Sequence, residues 1–299
     1  MKKILFNALM FSALTATLYS CTEEEASKYS PAEKNESTDP VDIYLKEKFT
    51  KPYNSRVIWK WQGQLMGLGD YVTPPLRDVV IPASEMVFQY FVNPYNEVEN
   101  GNKIIDKYFP AEWIYIGSPM YNSDGSITLG VAEGGVRITL TELDYFNASS
   151  RTFVERQMHT IHHEFTHILH QKDGIPKGYA SVSPRYFGSQ SLYKDDDEAL
   201  QAGFVTPYSG TNSDEDFAEL VSTYVTTSEV KFEDKYLTKE DCSSLTSASE
   251  IQTCIATNEG KDHIAKKVDL MKSFFDSKYG VDIDQLRDKV VKQLDENTQ

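Results

Sequence analysis

Residues 159–171, "HTIHHEFTHILHQ", hold five of the six histidines in this chain of 299 residues. The surrounding apolar residues recur with the period of an α-helix. Thr152 and Glu155 form a capping-box pair that predicts where this helix begins, and Gly174 and Pro176 predict where it ends. One long helix is therefore expected to carry most of the histidines, and the fold must be built around it.

Within "HEFTH", His163 and His167 are four positions apart, so a helix projects both imidazoles from one face, where they can bind a single metal ion. Glu164 lies one position further round, beside such an ion rather than on it. This arrangement suits Zn²⁺, whose bound water has a pKa near ~7 and can lose a proton to the neighbouring carboxylate. The motif predicts His163 and His167 as zinc ligands and Glu164 as the general base.

The remaining histidines of this segment leave a second interpretation open. His159 and His170 lie in the same helical stripe as the two predicted ligands, as on a surface that scavenges metal ions nonspecifically. Among the histidine pairs spaced four residues apart on this helix, only the pair that begins at His163 has a glutamate directly after its first histidine. We therefore expect His159 to lie outside the ligand set, and His162 and His170 to contact backbone or water.

A third ligand is expected from residues 208–219, "YSGTNSDEDFAE". Glu215 and Glu219 are one helical turn apart, so one can bind zinc while the other accepts the Nδ1 proton of a ligating histidine. We predict Glu215 as the ligand and Glu219 as its outer partner, and the exchange of these two roles remains open. The alternative is that both acids only solvate the start of a helix, as expected for Asp214 and Asp216.

The N-terminal residues "MKKILFNALMFSALTATLYSC" have the layout of a secretory signal, predicted to span residues 1–20. "LYSC" resembles a bacterial lipobox, which implies cleavage before Cys21 and lipid attachment to its thiol. A plain signal peptide or an uncleaved anchor is the alternative. Residues 21–40 are polar and acidic, which predicts a flexible stalk. Its "TEEE" resembles the export signal of surface lipoproteins in the Bacteroidetes, or is ordinary stalk composition.

Composition bounds what the body of the chain can do. The formal charge of −15 argues against a nucleic-acid partner. Residues 41–299 are enough for one catalytic domain with an ample core. Cys242 and Cys254 are the two cysteines left after Cys21, and in an oxidising compartment they can form a disulfide.

The pattern of apolar residues predicts an α+β fold. Strand-like runs at residues 56–62, 112–118, 126–132 and 136–143 indicate an N-terminal mixed sheet, with a helix at residues 82–96. Further helices are expected at residues 213–225, where Ser213 suits the start of a helix, and at residues 262–279. The C-terminal part is therefore predicted to be helical. No internal repeat or second domain is evident.

An HExxH motif followed by ExxxE, with the first Glu 48 positions after the second His, resembles the gluzincin branch of metallopeptidases. Tyr208, seven residues before Glu215, is similarly placed to a tyrosine in the catalytic domain of anthrax lethal factor. There the hydroxyl helps to stabilise the developing oxyanion, and the resemblance implies that role for Tyr208. An ordinary half-buried aromatic is the alternative. The resemblance also implies a zincin-like fold in which residues 136–143 form the edge strand of the cleft, unless that strand is internal.

The lipobox together with "PYNSRV", "GSPMYNSDGSITLG", "HHEFTHILHQ" and "GFVTPYSGTNSDEDFAELVSTY" resembles a Bacteroidetes family of substrate import-associated zinc metallohydrolase lipoproteins. The resemblance implies an outer-membrane lipoprotein, exposed at the cell surface or facing the periplasm. It also implies the company of a TonB-dependent transporter and its substrate-binding lipoprotein.

The sequence thus predicts a metallopeptidase with one Zn²⁺ per chain that cleaves a peptide or protein substrate. Two other functions remain open. The first is a non-catalytic accessory lipoprotein of a TonB-dependent import complex that keeps zinc as a structural tie, and the second is a metal-scavenging lipoprotein that uses the histidine stripe.

Overall fold

A computed structural model of the chain describes residues 37–60, 72–121, 136–183, 185–188 and 193–299, and the backbone of residues 127–128 and 132–133. The predicted signal peptide, Cys21 and the stalk up to residue 36 lie outside the described residues, so they remain predictions. Asp39–Gln299 forms one compact unit. None of the described helices is both long and apolar enough to cross a membrane.

The described residues contain six strands and nine α-helices of six residues or more. The strands are β1 (Arg56–Ile58), β2 (Glu112–Tyr115), β3 (Met120–Tyr121), β4 (Ile127–Thr128), β5 (Ala132–Glu133) and β6 (Arg137–Leu140). The helices are α1 (Pro40–Leu45), α2 (Arg77–Val87), α3 (Gly101–Tyr108), α4 (Arg151–Asp173), α5 (Asp196–Gln201), α6 (Ser213–Thr226), α7 (Glu229–Tyr236), α8 (Ala248–Tyr279) and α9 (Ile283–Asn297). Helical turns at Lys46–Tyr53 and Phe88–Asn96 extend α1 and α2.

Four strands form a mixed sheet in the order β1-β2-β6-β5, in which β1, β2 and β6 are parallel and β5 is antiparallel to β6. Strand β2 is buried on both faces: Trp113 and Tyr115 join the main core, and Ile114 joins a smaller apolar cluster. Helices covering both faces are the usual reason for such burial in parallel strands. The expected α+β class and mixed sheet are confirmed.

The sheet corrects two expectations. The predicted strand at residues 126–132 is two short strands, because β4 pairs with β3 while β5 pairs with β6. The run at residues 136–143 is not the edge of the sheet, because β6 lies between β2 and β5. Pairing of Ala132 with Ile138 and of Glu133 with Arg137 makes β5 the outer strand on that side.

Helix α4 is the predicted histidine helix, and it ends at Gly174 as expected. Its cap differs from the prediction, because Ser150 accepts a hydrogen bond from the backbone N–H of Phe153 and Thr152 lies inside the first turn. Ser150 does what an N-cap requires, satisfying an amide that has no partner within the helix. The helix packs against β5, β6 and α6, so it lies between the sheet and the C-terminal helices.

The other helices extend beyond their predicted bounds. Helix α2 begins at Arg77 with Pro82 inside it, and the carbonyl that loses a partner belongs to the exposed Asp78. Helix α8 begins 14 residues before the predicted Asp262, because its first half is held by tertiary contacts rather than by an apolar stripe. Helix α9 was not predicted, although its buried residues recur at helical spacing: Ile283, Leu286, Val290 and Leu294.

Helix α8 lies very close to α5. A Cβ atom added at Gly260 would lie 1.8 Å from the backbone oxygen of Leu200, and one at Gly203 would lie 2.5 Å from Cβ of His263. Gly203 also has a φ of +82°, a conformation that side chains disfavour. These two glycines let the backbones of α8 and the α5 segment approach each other.

The predicted disulfide is present, since Cys242 and Cys254 are bonded. It joins the turn at Cys242–Ser244 to the first half of α8, where apolar periodicity is weak. The crosslink therefore stabilises the part of α8 that the sequence pattern did not predict.

Replacing Gly260 by alanine should lower the free energy of unfolding by about 1–3 kcal/mol, because the new Cβ atom forces α8 away from Leu200. Inside an unconstrained helix the same change raises stability by about 1 kcal/mol. The sign of the measured change therefore shows whether the close approach of the two backbones limits this position. Urea unfolding measures it. Ser273→Ala, at an exposed position of α8, serves as the control and should change stability by less than about 0.5 kcal/mol.

Replacing Cys242 and Cys254 together by alanine should lower the free energy of unfolding by about 3 kcal/mol, because the unfolded chain regains the entropy of an open loop. Urea unfolding of the oxidised protein and of the double variant measures the loss. An unchanged unfolding midpoint would contradict a stabilising role for the bond.

Candidate metal centre

Three side chains from α4 and α6 each bring one ligand atom to a common point. Nε2 of His163 lies 3.0 Å from Nε2 of His167. Oε2 of Glu215 lies 3.2 Å from the first of these nitrogens and 3.1 Å from the second. These three residues form a group that could hold a metal ion. The structure thus brings together the ligand set that the sequence predicted.

Local structure explains how Glu215 reaches the two histidines. Helix α6 begins after Asn212, whose Oδ1 accepts hydrogen bonds from the backbone N–H groups of Asp214 (2.9 Å) and Glu215 (3.0 Å). Asn212, rather than the expected Ser213, is therefore the cap. Fixing the first turn in this way sets Glu215 against the face of α4 that carries the ligand imidazoles.

The donor set fits zinc. Two imidazole nitrogens and one carboxylate oxygen are a common catalytic zinc set, and zinc ligands at about 2.0–2.2 Å in tetrahedral geometry lie about 3.3–3.5 Å from one another. The observed separations of 3.0–3.2 Å are close to that. If both imidazoles are neutral with Nε2 unprotonated, three acceptors face one another, and a cation between them removes their repulsion.

Glu219 contacts His163 at the ring nitrogen that does not face the candidate metal position. Its Oε1 lies 2.8 Å from Nδ1 of His163, and its Oε2 accepts a hydrogen bond of 2.6 Å from Oγ1 of Thr206. A carboxylate at Nδ1 keeps the proton there and leaves Nε2 free for a metal ion. Thr206 was not predicted. It also caps the turn at Pro207–Gly210, so Glu219 links His163 to the turn that carries Tyr208.

His170 holds the second ligand histidine. Its Nε2 lies 2.7 Å from Nδ1 of His167, so one imidazole orients the other. Nε2 of His170 therefore contacts a histidine instead of the expected backbone or water. The spacing of three residues within α4 was the available signal, because side chains three apart on a helix are neighbours.

His159 and His162 stand apart from the ligand atoms. Nε2 of His159 lies 3.1 Å from Oγ of Ser222 and 4.0 Å from the Glu219 carboxylate. His162 is buried against Phe91 and Tyr95, and neither of its ring nitrogens has a hydrogen-bond partner among the described residues. Burial lowers the pKa of His162 to about 3. This histidine is a neutral core residue, not one that contacts backbone as expected.

Glu164 and Tyr208 lie beside the ligands. Glu164 is buried on α4, and its charge acts on both His163 and Tyr208. The ring of Tyr208 lies 6.0 Å from that of His163, and 42 % of the residue is exposed. Burial, followed by the charges of Glu215 and Glu164, raises the pKa of Tyr208 above its usual range. Its hydroxyl therefore keeps its proton at neutral pH.

The charge balance of the site favours a cation. Burial acts to lower the pKa of His163, but Glu215 and Glu219 raise it to about 10. Burial opposes ionisation of the two acids, yet the imidazoles hold the pKa of Glu215 well below its usual range and lower that of Glu219 to about 2. A metal ion would displace the proton from His163, so metal affinity should fall as the pH falls.

Asp214 and Asp216 differ, although both were expected at a solvated helix start. Asp214 is exposed. The side chain of Asp216 is 1 % exposed, and its Oδ2 lies 2.6 Å from Nζ of Lys267 in α8. The expectation is therefore wrong for Asp216, because an ammonium from a helix distant in sequence compensates its buried charge. Tyr179 and Tyr186 also contact Asp216, so they pack beneath α6.

Comparison with known proteins agrees with this geometry. Residues 33–284 match the model of a family described as "putative zinc-binding metallo-peptidase". The crystal structure of a protein with the same description from Bacteroides caccae is similar, with a TM-score of 0.66 and 27 % identity over 86 % of this chain and 92 % of the other. No curated protein matches the chain. The chain therefore belongs to this family of putative zinc-binding metallo-peptidases.

Proposed function

We propose that this chain is a zinc-dependent peptidase of the HExxH, gluzincin type with a zincin-like fold. The observation that carries the proposal is the convergence of ligand atoms from His163, His167 and Glu215 within 3.2 Å of one another. One Zn²⁺ per chain would be held there. Glu164 follows the first ligand directly, in the place where a general base is needed.

Bound zinc supplies a Lewis acid and lowers the pKa of a water molecule to about 7. The carboxylate of Glu164 takes a proton from the attacking water and later delivers it to the leaving amine. The Glu164 side chain is buried, and its charge acts on His163 and Tyr208, which supports a position beside the metal site. The contacts of Glu219 and His170 with the Nδ1 atoms keep both ligand imidazoles in the required tautomer.

Tyr208 donates a hydrogen bond to the oxygen on which negative charge develops. The raised pKa of its hydroxyl keeps the proton available, and its partial exposure leaves it accessible to a substrate. Fixed donors of this kind act mainly on the transition state, because they are aimed at charge that the substrate does not yet carry.

A peptide substrate is supported by two features beside α4. Among the described strands, β5 is the last of its sheet and packs against α4, and such an outer strand can pair with an extended peptide. A cavity of about 420 Å³ is lined by α4 residues from Arg151 to His159 and by residues between Thr226 and Lys231. His159 is one turn, about 6 Å, from His163. A substrate residue two or more positions from the cleaved bond would reach this cavity, since extended chain spans about 3.5 Å per residue.

We also propose that the protein is a lipoprotein of the outer membrane that works with a TonB-dependent transporter and its substrate-binding lipoprotein. The signal-like N-terminus, Cys21 and the sequence resemblance support this proposal. Metabolic labelling with a fatty-acid analogue tests it, since the label should be lost in Cys21→Ala.

Glu215→Ala should abolish stoichiometric zinc binding, because it removes a ligand, whereas Glu219→Ala should weaken affinity by about 10–100-fold, because it frees the orientation of His163. Mass spectrometry of purified chains gives the zinc content, and competition with a chelator gives the affinity. Asp214→Ala, an exposed acid in the same helical turn, should leave both unchanged.

Two results would contradict that assignment. If Glu219→Ala abolished binding and Glu215→Ala only weakened it, the two roles would be exchanged. Several weakly bound ions in the unaltered chain would favour the metal-scavenging function.

Glu164→Gln should keep zinc bound while hydrolysis of a quenched fluorescent peptide library falls by about 10²–10⁴-fold, because the base is lost. Full activity in Glu164→Gln would exclude Glu164 as the base.

Tyr208→Phe should lower kcat by about 10²–10³-fold with zinc content unchanged. An unaltered chain that binds one zinc and cleaves no peptide in the library would favour the accessory lipoprotein.

A further inference from the structure

We infer that Lys267 of α8 is a positioning residue for the metal ligand Glu215, acting through the buried carboxylate of Asp216. The inference rests on the metal site of the proposed function and does not depend on peptidase activity. Lys267 lies in the C-terminal part of the chain, where the sequence motifs are weak.

Asp216 is held from three directions. Nζ of Lys267 lies 2.6 Å from its Oδ2, and both side chains are 1 % exposed. The hydroxyl of Tyr186 donates a hydrogen bond of 2.8 Å to the same oxygen, and that of Tyr179 donates one of 3.2 Å to the Asp216 backbone carbonyl. The first turn of α6 therefore has fixed contacts on a second face, separate from the face that carries Glu215.

These contacts set the rotation of α6 about its own axis. Successive residues project about 100° apart round a helix, so Glu215 faces α4 while Asp216 faces α8. A rotation of about 10° would move a group at the outer radius of a helix, about 5–6 Å, by about 1 Å. Metal–ligand distances in zinc sites are expected within about 0.2 Å of their usual values. Small rotations of α6 would thus remove Glu215 from the ligand set.

The same ammonium also holds the segment that leads to Tyr208. Nζ of Lys267 donates a hydrogen bond of 2.8 Å to the carbonyl of Gly203 and lies 4.2 Å from the ring centroid of Phe204. Three residues beyond Gly203, Thr206 contacts Glu219 and caps the Tyr208 turn. One buried cation therefore joins the ligand helix to the segment that carries the predicted oxyanion donor.

Apolar packing alone would not require an ion pair here. Burying two charges is costly, and an apolar pair of similar volume often serves stability as well or better. The ion pair differs from an apolar contact because its hydrogen bonds require defined directions. The Asp216 carboxylate has fixed partners, and the Lys267 ammonium has three N–H donors that need acceptors. The ion pair therefore controls the orientation of α6. A contact between two apolar side chains, such as methionine and leucine, would not fix that orientation.

The experiment compares Lys267→Met with Lys261→Met in the full chain. Lys261 is a matched control, because it is a buried lysine of the same helix whose Nζ donates a hydrogen bond of 2.7 Å to the carbonyl of Thr238, away from α6. The zinc dissociation constant is measured by competition with a chromophoric chelator, and the stability of the zinc-free protein by urea unfolding.

We expect Lys267→Met to weaken zinc binding at least tenfold. Lys261→Met should lower the unfolding midpoint yet leave the dissociation constant within twofold of the unaltered chain. An unchanged dissociation constant in Lys267→Met, or equal weakening in both variants, would overturn the inference while leaving the metal site intact. Failure of the unaltered chain to bind zinc would instead overturn the proposed metal site, and the inference with it.

A double variant covers the case in which Lys267→Met does not fold. Lys267→Met combined with Asp216→Leu removes both buried charges and should restore folding. Its zinc dissociation constant should stay at least tenfold weaker, because the leucine side chain forms no directed contacts that would fix the rotation of α6. Zinc affinity equal to that of the unaltered chain in this folded double variant would overturn the positioning role.

Discussion

Packing of α4 against α6 sets the separation between the imidazoles of one helix and the carboxylate of the other, and neither helix carries a complete ligand set alone. Apolar side chains of both helices fill the core beneath the site, among them Ile161, Phe165, Phe217 and Leu220. A change in that packing of a fraction of an ångström would alter the ligand distances, because core packing is dense and leaves few alternative arrangements.

Polar side chains around the contact between α4 and α6 orient the histidines and the start of α6. Glu219 and His170 orient the two ligand histidines from behind, and Asn212 fixes the start of the helix that brings Glu215. Asp216 and Lys267 then hold that helix on a second face. The Asp216–Lys267 pair compensates two buried charges that would otherwise be costly, so a contact that folding requires also lies next to the candidate metal site.

Spacing within one helix was enough to predict where these side chains lie, while their chemical roles remain predictions. His163, Glu164 and His167 followed from helical geometry, and Glu215 from its place one turn before Glu219. The contact between Asp216 and Lys267 could not be predicted, because neither residue belongs to a motif that indicates its partner. Capping propensities also predicted the wrong N-caps for α4 and α6. The caps are Ser150 and Asn212, whose neighbours have similar capping propensities.

Anomalous diffraction at the zinc absorption edge, from crystals of the purified protein, tests most directly whether these three side chains bind one zinc ion. We expect one strong anomalous peak per chain, within about 2.0–2.2 Å of Nε2 of His163, Nε2 of His167 and a carboxylate oxygen of Glu215. A peak bound instead by His159 or His170, or zinc spread over several weak positions along α4, would contradict it.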